Sequence, residues 1–176
     1  PKAFILDLRG NGGGLLDQSI DMANFFLPQG SVVVSTEGRV MPSESYKATN
    51  KPTFAKGKVV VLIDDFSASA SEIVSGALQD WDRAVIVGHR SFGKGLVQRQ
   101  FPLNDGSAVN TTVSRYLTPT GRAIQRPFEK GQSKDYYAGL AERFESGYVD
   151  TVDIHNAQQY RTLRLGKTVY GGGGIY

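Results

Sequence analysis

The chain has 176 residues, 40% of them apolar, which is enough to bury one substantial core within the size range of a single domain. Its 20 basic and 17 acidic residues leave a net charge of +3 with no Lys/Arg block, so a nucleic-acid or polybasic membrane role has little support. The lack of cysteine excludes disulfides, thiol catalysis and cysteine metal sites, and leaves the redox compartment open.

The opening, PKAFILDLRG, lacks the basic start and cleavage site of a signal peptide. No apolar run approaches the roughly 18 residues that span a bilayer. An apolar strand is predicted at Ala3 to Leu8, followed by the glycine turn Gly10-Asn11-Gly12-Gly13-Gly14. Leu15, Leu16, Ile20, Met22, Ala23, Phe25 and Phe26 then fall at mostly helical spacing until Pro28-Gln29-Gly30 stops them. Ser31 to Ser35 reads as a second strand, and Glu37 to Gly57, polar and without a sustained period, as a surface loop.

Lys58 to Asp64 repeats the unit: an apolar strand, a short turn and a helix with Ile73, Val74, Ala77 and Leu78 on one face. A further strand covers Ala84 to Gly88, and strands at Val97 to Phe101 and Ala108 to Leu117 flank the Asn104-Asp105-Gly106 turn. Buried strands alternating with helices predict an α/β fold. Beyond Arg126 the pattern weakens, and Gly171 to Gly174 reads as a flexible or tightly turning tail. We expect one domain over residues 1–176, with 126–176 its weakly patterned part. A strand starting so near the first residue leads us to expect a piece of a longer chain.

Two segments could carry chemistry. Ser69, between two alanines at a strand-to-helix junction, resembles a nucleophile elbow, where the helix start would aim free amides at a developing oxyanion. The same residues, Ser69-Ala70-Ser71-Glu72, also fit a capping box, in which the serine only caps the helix. Gly88 to Lys94 matches the first seven positions of a phosphate-binding P-loop, yet Gly95 stands where Ser or Thr should hold Mg²⁺, and a strand follows instead of a helix. A lysine between glycines can instead bring one amine close to another segment. His89 and His155 have no evident triad or zinc setting. A lysine base must be uncharged, which takes a desolvating environment that the apolar strands could impose.

Asp7 to Gly14, Ser67 to Ile73 with Gly76-Ala77-Leu78-Gln79-Asp80, and Ser91 to Gln98 together resemble the C-terminal processing (tail-specific) serine peptidases. The hairpin through Asp105 to Ala108 and Tyr116 to Arg122 extends the resemblance to roughly residues 3 to 125. The resemblance implies a ClpP/crotonase-like α/β core with an added β-hairpin, and a Ser-Lys dyad: Ser69 as nucleophile, Lys94 as base, Gln98 holding the lysine amine. It implies an oxyanion hole from the Ala70 amide and a glycine-turn amide, placed at Gly13 with Gly14 as second choice. Asp80 matches an acidic position considered functional in the family. A helix of 11 residues rises about 16 Å, so Asp80 is expected to support the site without touching the Ser69 hydroxyl.

The resemblance further implies protein substrates with apolar C-termini, a preceding PDZ domain that is missing here, no cofactor, and a periplasmic or otherwise extracytoplasmic setting. The leading expectation is an endopeptidase. The alternatives are a non-catalytic binding or scaffold module on the same fold, and nucleotide binding through Gly88 to Lys94.

Overall fold

The computed structural model describes residues 1–128, residue 138 and residues 157–176. In chain order the elements are β1 (Ala3–Asp7), α1 (Leu16–Asn24), β2 (Val32–Glu37), β3 (Glu44–Lys47), β4 (Lys58–Ile63), α2 (Ala70–Asp80), β5 (Val85–Gly88), β6 (Leu96–Pro102), β7 (Ala108–Leu117), β8 (Gln159–Arg161) and β9 (Thr168–Tyr170). The architecture is α/β, as the alternation of apolar strands and helices predicts.

β1, β4 and β5 form a parallel sheet in the order β1-β4-β5, with Phe4 beside Val59 and Val61 beside Ile86. A second sheet, β3-β2-β7-β6, is antiparallel. β2 therefore leaves the repeated unit that precedes it and pairs with the hairpin strand β7, Ser35 beside Leu117. β3 lies inside the stretch expected to be loop; its sequence ESYK is polar and mostly exposed, so backbone pairing with β2 holds it more than burial does.

α2 lies at the centre. Ser71 through Ala77, Leu78 and Asp80 are all buried, so the helix is enclosed all round, more than its single apolar stripe predicts. Gly76 permits this: a Cβ there would stand 3.0 Å from both Thr118 Cγ2 and Ile175 Cδ1. On the other side of the core Phe4, Phe25, Phe26 and Phe54 pack ring on ring, with centroids 5.2 to 6.4 Å apart. Of these Phe26 and Phe54 are buried, and fully burying such a side chain contributes about 1.5–3 kcal/mol. The opposite face of the parallel sheet is left open among the described residues: Ile5, Val85 and Val87 are exposed.

The Gly171–Gly174 tail is not loose. Its amides and carbonyls are bonded across the chain, Gly174 N–H to Ile124 O at 2.8 Å and Arg90 Nε to Gly173 O at 2.5 Å, and Ile175 is buried in the core. Glycines with positive φ at 172, 173 and 174 let the backbone run this close to its neighbours, where a Cβ at 173 would meet Arg126 at 2.6 Å.

Candidate active site

Parallel strands carry their chain direction with them, so whatever follows β1, β4 and β5 emerges on one edge of the sheet. The glycine turn follows β1, Ser69 follows β4, and the loop with Lys94 follows β5. Segments more than 80 residues apart in the chain are thereby brought to one place.

The glycine turn and the Ser69 segment are stitched together by backbone. Asn11 O accepts the Ala68 N–H at 3.0 Å and the Ser71 hydroxyl at 3.0 Å. The Asp64 carboxylate accepts the amides of Gly10, Phe66 and Ser67, each at 3.0 Å. Gly13, at φ +97°, passes so near that a Cβ there would lie 2.6 Å from Ala68 O, 2.8 Å from Ala70 N and 2.9 Å from Ser69 Cβ.

The three neighbouring serines divide by environment. Ser67 is wholly buried; its hydroxyl donates to Leu8 O at 2.8 Å and accepts the Asp64 amide at 2.9 Å. Ser71 is buried, bonded to Asn11. Ser69 alone of the three is partly exposed, and it sits at φ 55°, ψ −113°, a backbone region that disfavours side chains. It occupies the N-cap position of α2, and Glu72 Oε2 accepts its amide at 2.8 Å, so the Glu72 half of a capping box is present as the local pattern predicts. Capping and the strained elbow coexist in one residue. Ala70, first residue of α2, has no intrahelical acceptor for its N–H, and the missing Gly13 side chain leaves that amide uncovered.

Glu72 does more than cap. It is fully buried, and four donors fill its carboxylate: Ser91 Oγ and Gly93 N on Oε1, both at 2.6 Å, and Ser69 N and Lys94 N on Oε2, both at 2.8 Å. Burial pushes its pKa above the usual carboxylate range, and the four donors oppose that shift. The capping-box pattern signalled only the contact with Ser69; the three contacts with the lysine loop were not legible locally.

Lys94 itself is exposed, so the described residues do not supply the desolvation expected of a lysine base. Gln98 is exposed as well, at a register shift in β6. Among the described residues no hydrogen bond joins Lys94 to Ser69 or Gln98. The Gly13 amide donates to Asn11 Oδ1 at 2.9 Å and is already engaged, whereas Gly14 carries no such bond. β6 follows Lys94 directly, so the P-loop reading lacks the helix that would receive phosphates. His89 Nδ1 lies 3.6 Å from Asp65 Oδ2. His155 lies outside the described residues.

Asp80 stands at the far end of α2 from Ser69. Its fully buried carboxylate pairs with Arg122 Nη2 at 2.5 Å and accepts the Thr120 amide at 2.9 Å and hydroxyl at 2.7 Å.

Comparison with known proteins locates this arrangement. The sequence profile of Peptidase family S41 matches residues 1–137. The chain is 46% identical over 123 residues to the carboxyl-terminal-processing protease of Synechocystis sp., covering 70% of this chain and 28% of that one. It is 37% identical over 163 residues to the carboxy-terminal processing protease CtpA of Bacillus subtilis, covering 85% and 34% respectively. The solved photosystem II D1 C-terminal processing protease superposes with a TM-score of 0.66 at 39% identity, over 70% of this chain and 32% of that one. The chain thus spans about a third or less of the length of these relatives.

Proposed function

This chain belongs to peptidase family S41, and on that premise we propose that it is the catalytic core of a serine endopeptidase that cuts proteins near their C-termini. Ser69 Oγ attacks the scissile carbonyl carbon while the Lys94 amine takes the hydroxyl proton. The oxyanion is held by the Ala70 amide and by a glycine-turn amide. Because the Gly13 N–H is turned to Asn11, Gly14 is the better second donor in this arrangement. Collapse breaks the C–N bond, the lysine ammonium protonates the leaving amine, and water then hydrolyses the Ser69 ester with the same amine as base.

One observation carries this reading: Ser69, strained and partly exposed at the start of α2, shares the Glu72 carboxylate with the amide of Lys94. A solvated lysine is a poor base, so with Lys94 exposed the proposal requires that substrate, Gln98 or further parts of the protein cover the amine. Substrate tails that are apolar, captured by a PDZ domain outside this sequence, and an extracytoplasmic setting are the partners and place we propose. Tail capture by strand addition would raise the local substrate concentration.

The test is cleavage of an unfolded protein by the full-length chain, with its tail apolar or charged. Lys94→Arg should be as damaging as Lys94→Ala, because a guanidinium stays charged and cannot accept the proton. Substantial cleavage by the Arg variant removes the general-base role, and indifference to the tail removes the substrate preference. If the wild type neither cleaves nor reacts with a serine-directed fluorophosphonate, the scaffold reading replaces the enzyme.

A further inference from the structure

Ser91 is fully buried, yet it lies only three residues before Lys94. Its backbone N–H donates to Ile175 O at 3.0 Å, and its hydroxyl accepts the Ile175 N–H at 2.7 Å. The same hydroxyl donates to Glu72 Oε1 at 2.6 Å. A continuous line of hydrogen bonds therefore runs from the C-terminal segment, through Ser91, to the carboxylate that holds the amides of both Ser69 and Lys94.

We infer that Ser91 is a positioning residue for the proposed peptidase chemistry, and that the strap Gly171–Tyr176 acts on Lys94 and Ser69 through it. The inference rests on the Ser69–Lys94 reading and adds to it a part that the local motifs do not name.

The geometry explains why the hydroxyl matters. A carboxylate held on one side only can rotate about its terminal torsion, which is broad and roughly two-fold. Ser91 and Gly93 pin Oε1, which leaves Oε2 turned toward Ser69 and Lys94. Without the hydroxyl, Oε1 keeps one donor, and the Ile175 amide loses its acceptor inside the core. The strap is anchored independently of Ser91: Arg90 Nη2 bonds Gly172 O at 3.0 Å, Gln79 Nε2 bonds Tyr176 O at 2.8 Å, and the Arg90 guanidinium lies over the Tyr176 ring at 5.1 Å. Gly174 probes the strap from its own side while keeping the Ser91 residue. At φ +82°, an added Cβ there would meet Ser91 O at 2.6 Å and Ser91 Oγ at 3.2 Å and push the two segments apart.

The experiment uses the full-length protein with three readouts: kcat and KM on an unfolded protein substrate, the rate of fluorophosphonate labelling of Ser69, and the thermal midpoint. Ser91→Ala and Gly174→Ala should each lower kcat and the labelling rate about tenfold or more, with KM within about twofold and the protein still folded at the assay temperature. In the double variant Ser91→Ala/Glu72→Gln, labelling should be no slower than in Glu72→Gln alone, because both changes break one hydrogen bond. Wild-type labelling by folded Ser91→Ala overturns the role of Ser91, as do losses that multiply in the double variant. Wild-type labelling by Gly174→Ala overturns the role of the strap. If Ser91→Ala and Ser91→Gly both fail to fold, the hydroxyl is a requirement of the fold and the inference is likewise overturned. Failure of the underlying reading looks different, since wild type would then label no faster than Ser69→Ala.

Discussion

Ser69 and Lys94 donate their backbone amides to the same atom, Glu72 Oε2, each at 2.8 Å. The two nitrogens therefore lie within two hydrogen-bond lengths of each other, and the Ser69 segment and the lysine loop cannot separate without breaking a bond to a buried carboxyl group. All four partners of Glu72 act as donors, so the carboxylate suits them ionised; a proton on either oxygen would face an N–H or O–H already pointing at it.

A pH prediction follows, with opposite signs for stability and activity. Burial raises the folded pKa of Glu72, and none of the causes of the shift is a charged side chain. Folding therefore favours the protonated form: the stability contributed by this group is fully present below its unfolded pKa and is lost as pH rises through the folded value. Activity needs the ionised form and should fall as pH drops through that same raised value, above the usual carboxylate range and before the protein unfolds. Profiles of kcat against pH, beside denaturant unfolding at the same pH values, check this. Glu72→Gln should lower kcat at least tenfold and make the acid limb less steep, because only the general base then still has to be free of its proton; an unchanged steepness would assign the limb to other groups.

The neighbouring serines should separate cleanly. Ser69→Ala should abolish hydrolysis and leave the bond to Glu72 in place, because the Ser69 backbone amide makes it. Ser67→Ala removes a buried hydroxyl with partners on both sides, so a loss of about 1–3 kcal/mol is expected, and hydrolysis should survive in whatever remains folded. Ser71→Ala loses only the bond to Asn11 and should cost about 1 kcal/mol. Thermal unfolding and fluorophosphonate labelling of each variant measure both effects. Labelling that survives in Ser69→Ala would reassign the nucleophile.

Much of this was legible in the sequence, for identifiable reasons. β1, β4 and β5 announce themselves as apolar runs, and the turns after them carry the glycines or small residues that tight geometry needs. What stayed hidden depends on backbone or on distant partners. β3 is polar and held by pairing, so no periodicity marks it. The glycines at 171 to 174 have no side chains whose pattern could betray docking, and the bonds they support reach back to Arg90 and Ile124. Glu72 looked like a cap because only Ser69 is near it in sequence; its bonds to Ser91, Gly93 and Lys94 cross 19 to 22 residues. The desolvation expected for Lys94 is a property of surroundings, and the surroundings described here leave it exposed.

Gly13 and Gly14 should respond differently to a single methyl group. Gly13→Ala places Cβ at 2.6 Å from Ala68 O and 2.8 Å from Ala70 N, at a φ that side chains avoid. Because that Cβ would cover the Ala70 amide, the proposed first oxyanion donor, we expect hydrolysis to fall by about 10²–10³, with a stability cost of about 1–3 kcal/mol. Gly14→Ala meets only Gln18 Oε1 at 3.9 Å and keeps its amide, so most activity should remain. Equal rates for the two variants would show that the close approach of Gly13 to Ser69 is irrelevant to chemistry.

Asp80 is the remaining residue for which the family resemblance implies a functional role, and its surroundings indicate how that role would be exercised. The carboxylate and the Arg122 guanidinium are almost wholly removed from water and pair at 2.5 Å, with Thr120 and Gln79 taking further hydrogen bonds. Removing one member of such a pair strands the other charge, at a cost of about 3–5 kcal/mol. α2 has 11 residues, Ala70 to Asp80, and rises about 1.5 Å per residue, so this pair lies too far from Ser69 to exchange a proton with it. What it can do is fix the C-terminal end of α2 against the Thr118–Arg122 turn and, through Arg122 Nη1 on Tyr170 O, against the strand that leads into the strap. Asp80→Ala and Arg122→Ala should therefore both destabilise the protein by that amount and lose activity in step with the folded fraction. Replacing both with apolar residues of similar volume should recover much of the stability and, with it, the activity. Denaturant unfolding paired with fluorophosphonate labelling, well below each variant's midpoint, decides the matter. A fully folded Asp80→Asn that no longer labels would give Asp80 a direct part in the reaction.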